Sequence, residues 1–147
     1  MLRTPRSFAE IAKVGPIASQ AGTIAVTLTD RDFTAIVAVA IPEDLAVTET
    51  LELDEALQRE RLNLDLVVLN QRHPDRFDEG DLTALRLLAA APAARLAVAA
   101  DIHARLEAGQ AARLEQHFGE RLQSLPYLFA PQLGEEELEL LGRELDL

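Results

Sequence analysis

The segment Phe33 to Gln71, FTAIVAVAIPEDLAVTETLELDEALQRERLNLDLVVLNQ, constrains this chain more than any other stretch, because it reads as strand, helix and strand in one crossover. Phe33 to Ile41 is almost unbroken in apolar and β-branched residues, the pattern of a strand buried on both faces of a parallel sheet. Pro42 has no N–H to give a ladder, so the strand ends there and leaves Glu43 and Asp44 at its carboxyl end. The spacing then predicts a helix over 46–60 and a second buried strand from Leu64 to Leu69, which delivers Asn70 and Gln71 to the same rim. In open α/β sheets that rim is where ligands bind.

A chain of 147 residues is one domain's worth, and 48% hydrophobic residues with a mean hydropathy of +0.03 describe an ordinary water-facing globule. No apolar run reaches the roughly 18 residues that a membrane span needs. The start, MLRTPRSF, lacks the apolar core of a signal peptide, and a cytoplasmic location is expected. With no cysteine, disulfides and thiolate metal sites are excluded. A net charge of −11 argues against nucleic-acid partners and anionic membrane surfaces, both of which need clustered Lys and Arg.

Before the crossover, Phe8, Ile11, Val14, Ile17, Ala21, Ile24 and Leu28 recur at helical spacing, and Ser7 with Glu10 forms a capping-box signature. Gly15 and Pro16 should kink or divide that helix. Thr29 to Asp32 reads as a polar turn. The crossover helix is expected to bury Val47, Thr50, Leu53 and Leu57 and to turn Glu49, Glu52, Asp54, Glu55 and Glu60 to solvent. After the polar loop RHPDRFDEGD, a helix over 81–91 packs Leu82, Leu85 and Leu88, and Pro92 ends it or opens the next. Residues 93–118 form a long alanine-rich helix with Leu96, Ile102, Leu106, Leu114 and Phe118 as its apolar contacts and Gly109 as a break point. A last strand over 124–129 stops at Pro131, and a helix with an acidic first turn closes the chain over 135–147.

IPEDLAVTET followed by VVLNQ resembles the ArsA-type anion-transporting ATPases and their relatives that target tail-anchored membrane proteins. LPYLFAP, Leu125 to Pro131, is similar to that family's last strand and adenine-side loop. The resemblance implies the C-terminal part of a P-loop NTPase domain: an α/β fold with a partial, mainly parallel sheet and flanking helices, residues 31–147, preceded by a helical arm over 1–30. It further implies that Glu43 and Asn70 lie beside a nucleotide, with Gln71, Pro126, Tyr127 and Pro131 completing the adenine side, and that ATP with Mg²⁺ serves the complete family member. An amide suits adenine because it offers both a donor and an acceptor. Where relatives carry E-T-x-R, this chain has Glu52 in place of the arginine, and QRHPDRF stands where some relatives place a zinc-binding C-x-x-C.

The sequence contains no G-x-x-x-x-G-K-[ST], and its single lysine, Lys13, lies in a helical pattern, so no phosphate cradle can form from these residues. A truncated family member unable to hydrolyse ATP alone is therefore expected, one that pairs with another copy or with a P-loop-bearing partner and, by family analogy, handles an anion or a membrane-protein client. The alternative is a non-catalytic interaction module that assembles through its N-terminal helix and an exposed sheet edge. No catalytic residue and no metal ligand set is legible. His73, His103 and His117 are scattered, the last two about 21 Å apart along a helix. Ser7, Ser19 and Ser124 lack a nucleophile elbow.

Overall fold

The computed structural model describes residues 16–145 of the chain. Its elements are α1 (Pro16–Thr29), β1 (Val37–Ala40), α2 (Asp44–Arg59), β2 (Leu66–Arg72), α3 (Glu79–Leu87), α4 (Pro92–Phe118), β3 (Leu122–Pro126) and α5 (Glu135–Glu144). The strands form one sheet in the order β1-β2-β3, and both pairings are parallel. Parallel neighbours need long crossovers. Here α2 makes the first, and α3 with α4 makes the second, so this is an α/β fold with helices flanking a three-stranded parallel sheet.

Register sorts the side chains onto two faces. Ala38 pairs with Val67 and Ala40 with Leu69, and this face meets Val47 and Leu57 of α2 and Ala111, Leu114 and Phe118 of α4 in the core. Val47, Val67, Leu69 and Leu114 are wholly buried, each contributing about 1.5–3 kcal/mol of apolar burial. Asp65 clips the entrances of two strands together: its carboxylate accepts the Ile36 N–H at 2.7 Å while its own N–H donates to the Ile36 carbonyl at 2.9 Å. On the opposite face Val68 and Leu125 are buried at the β2–β3 end, but Val37 and Val39 are 51% and 67% exposed. The strand expected to be buried on both faces is thus covered on one.

It is also shorter than its apolar run. The Asp30 carbonyl accepts from the N–H groups of Phe33 and Thr34, and the Asp30 carboxylate accepts from Asp32, so a polar turn carries the chain through Phe33 and the ladder starts only at Val37. Among the described residues β1 has one neighbour, β2, and lies at an edge of the sheet. α1 is described from Pro16 to Thr29. Its Ile17, Ile24 and Val26 are exposed while Ala21 is buried. The Ser7–Glu10 capping box, Phe8, Ile11, Val14, Gly15, Lys13 and the last two residues fall outside the described segment.

Two helices turn a different face inward from the one their leucines suggest. In α2 the buried positions are Val47, Thr50, Asp54 and Leu57, so Asp54 leaves the expected solvated acidic face and Leu53 is exposed. In α4 the buried set is Ala94, Asp101, Glu107, Ala111, Leu114 and Phe118, whereas Leu96, Ile102 and Leu106 face outward. In both cases the inward carboxylates have imidazole or guanidinium partners, which removes the penalty of burying them alone. α4 continues through Gly109 without a break. α3 begins at Glu79, because Asp78 caps it by accepting the Asp81 N–H at 2.8 Å, and Leu88 beyond its end is exposed. β2 runs past Leu69 to Arg72, and β3 lies at 122–126, slightly before its expected place.

Candidate functional site

Parallel order sends the chain out of all three strands at one rim. Glu43 leaves β1 as the residue before α2, with an exposed side chain that makes no capping bond. Asn70 and Gln71 belong to the final turn of β2, where the register with β3 is irregular between Leu69 and Arg72. The Asn70 Oδ1 accepts its neighbour's N–H, that of Gln71, at 2.9 Å, and Gln71 sits at φ +63°. Past this kink the ladder resumes: Arg72 pairs with Pro126, and the Tyr127 N–H donates to the Arg72 carbonyl at 2.8 Å. Pro126 also lines a cleft of about 390 Å³ with Arg72, His73, Arg105 and Glu144. Glu43, Asn70, Gln71, Tyr127 and Pro131 do not line it.

The densest part of the rim is elsewhere. A helix of 27 residues spans about 40 Å, far more than strands of four to seven residues, so α4 overshoots the sheet. Its C-terminal residues Ala111, Leu114 and Phe118 pack on the core, while Asp101, His103 and Glu107 precede them and Glu107 meets His73, the residue after β2. Glu107 is 4% exposed and accepts from the His73 N–H through Oε2 at 2.8 Å. Its Oε1 lies 2.8 Å from His73 Nδ1 and 2.9 Å from His103 Nε2. The His73 ring is stacked on Tyr127 at 4.5 Å and meets His103 and Phe129 edge-on, and the Arg76 guanidinium lies 4.0 Å over Phe129. One face of Tyr127, expected beside adenine, is therefore occupied by His73.

A second buried carboxylate, Asp54, holds α2 to α4. It accepts from Gln58 at 2.8 Å and lies 2.9 Å from His117 Nε2. Arg113 adds an exposed tie between the same helices, donating to Asp44 at 2.7 Å and to Thr48 at 3.1 Å. All three histidines thus have or share an acid. The spacing of His103 and Glu107, one helical turn, was visible in the sequence; nothing there links His73 to Glu107 or His117 to Asp54 across 34 and 63 positions.

Where β1 ends, the described residues offer no cradle for a triphosphate. The N-terminus of α2 is the helix end nearest Glu43, but Glu43 and Asp44 guard it with two carboxylates, which oppose an anion there.

The profile of one protein family, described as anion-transporting ATPase, matches residues 5–103. The match covers Glu43, Asn70 and Gln71 and stops before Pro126, Tyr127 and Pro131. No curated protein matches the chain.

Proposed function

Since the chain belongs to the anion-transporting ATPase family, we propose that its sheet rim is the adenine side of a nucleotide site whose phosphate side is supplied by a P-loop-bearing partner. In this reading the Asn70 amide, whose hydrogens have no partner among the described residues, meets the adenine edge. Glu43 borders the ribose side, and Gln71, Pro126, Tyr127 and Pro131 form the surrounding wall. The supporting observation is the all-parallel order β1-β2-β3, which directs the carboxyl ends of the strands to one rim. ATP hydrolysis, and its coupling to an anion or a membrane-protein client, would belong to the assembled site.

The isolated 147-residue chain should show no ATP turnover and only millimolar or weaker adenine-nucleotide affinity, because the charge-assisted phosphate bonds that anchor a nucleotide are missing. A phosphate-release assay and a nucleotide titration followed by amide chemical shifts test this. Shifts confined to residues around Asn70 and removed by Asn70→Ala support the reading. Steady Mg²⁺-dependent turnover, or shifts at a different end of the sheet, would sink it.

A second reading, the interaction module, is favoured by the bare valines of β1 and the exposed Ile17, Ile24 and Val26 of α1. An edge strand with unpaired backbone groups and apolar side chains is a template for another strand. The simplest occupant is a second copy of this chain across a two-fold axis, since identical edges are self-complementary. No helix among the described residues is long and apolar enough to cross a membrane.

A further inference from the structure

The cluster of His73, His103 and Glu107 does more than staple a loop to a helix. Its three ligand atoms lie within 4.8 Å of one another, and two of the three separations are already 2.8 and 2.9 Å. A four-coordinate divalent ion at about 2.0–2.1 Å from each donor sets its ligands about 3.3 Å apart. Opening the two short contacts by about half an ångström, and bringing the two imidazole nitrogens, which lie within 4.8 Å, to about 3.3 Å, would admit the ion. Two imidazoles and one carboxylate are the donor set of borderline ions such as zinc, and three protein ligands leave the remaining position open. Mg²⁺ prefers an all-oxygen shell and is a poor match.

The supporting shell is already built. The second oxygen of Glu107 is fixed by the His73 N–H, which turns Oε1 toward both rings, and stacking on Tyr127 fixes the plane of His73. An independent feature also points to a ligand. Asp101, 5% exposed, lines a cavity of about 180 Å³ with His73, His103, Arg76 and Phe129. One of its oxygens binds Arg105 at 2.9 Å, while Oδ1 is buried without a hydrogen-bond partner. A buried acceptor without a donor is costly, and a metal-bound water would be the missing donor. Among the residues lining this cavity, the Asp101 carboxylate offsets the Arg76 guanidinium, so its wall carries no net positive charge from Arg and Asp.

We infer that His73, His103 and Glu107 form a binding site for one divalent transition-metal ion of the zinc type, with a water in the open position held by Asp101. None of its three ligands belongs to the nucleotide reading, although Tyr127, which supports His73, is a wall residue there, and the site can be tested without ATP.

Titration of the full chain with Co²⁺ and Zn²⁺ is the test, read by Co²⁺ ligand-field absorption and by competition with a chromogenic chelator. One saturable ion per chain is expected. His103 is 56% exposed, so His103→Ala should fold, as checked by circular dichroism, and should weaken binding at least about tenfold. Glu107→Gln, which keeps an acceptor for the His73 N–H, should do the same. His117→Ala, which removes a ring bonded to Asp54 and packed on Phe118 but no ligand of the cluster, should bind like the parent chain. Absence of saturable binding by the parent chain, undiminished binding by folded His103→Ala, or an equal loss in His117→Ala, which marks indiscriminate imidazole binding, would each overturn the assignment.

Discussion

The two faces of the sheet make opposite use of the same apolar strands. On one face Ala38, Ala40, Val67 and Leu69 meet α2 and α4 without residual exposure worth noting, and the small alanines of β1 leave room for the helices to approach. On the other face, one residue away along β1, Val37 and Val39 stand in solvent. Alternation alone puts successive side chains on opposite faces, so the run VAVA does not decide between a half-covered and a fully covered strand. The covered face explains how the chain folds. The bare one is where a second chain would be met.

The largest effect expected from this contrast is at Leu114, which is 0% exposed at the centre of the covered face. Leu114→Ala should lower the unfolding free energy by about 2–5 kcal/mol in urea titration, since the cavity adds to the lost transfer energy. A loss below about 1 kcal/mol would mean that the face is not the core. Next comes Gly119, which ends α4 at φ +55° and ψ −124° and turns the chain into β3. Adding a Cβ there meets nothing within 4 Å, so Gly119→Ala isolates the backbone cost, expected at about 1–3 kcal/mol by the same titration. A neutral result would show that the turn relaxes without disturbing how α4 is seated.

The smallest effect on stability is expected on the bare face. Val39→Lys should change the unfolding free energy by no more than about 0.5 kcal/mol, as substitutions at exposed positions do. Its consequence should be for assembly: the parent chain should show concentration-dependent light scattering in the tens of micromolar, and the lysine should suppress it. A monomeric parent chain would refute association through this edge, and an unfolded Val39→Lys would show that the face is covered after all.

The rim repeats the contrast in another form. Glu43 and Asn70, the residues that sequence motifs single out, are sparsely bonded: Glu43 makes no cap bond and Asn70 accepts from its own neighbour. Two of the three histidines without a legible role in the sequence, His73 and His103, converge on one buried carboxylate, and the third, His117, meets another. Motifs record what lies a fixed number of residues apart. Glu107 and His73 meet only through the packing of α4 against the end of β2.

By itself the sequence determined the parallel crossover, the strand stop before Pro42 and the family, because each rests on local spacing or on the chemistry of a single residue, while Pro92, open in the sequence between a helix end and a helix start, is a start in the structure. Tertiary structure decided which face of each helix is inward. Leucine spacing nominated Leu53, Leu96, Ile102 and Leu106, yet Asp54, Asp101 and Glu107 took buried places. Asp101 is met by Arg105 of its own helix, but for Asp54 and Glu107 the physical reason is that a carboxylate can be buried once a donor from another element lies within hydrogen-bond reach. Which donor arrives there depends on how helices pack on the sheet and not on the residues beside it in the chain.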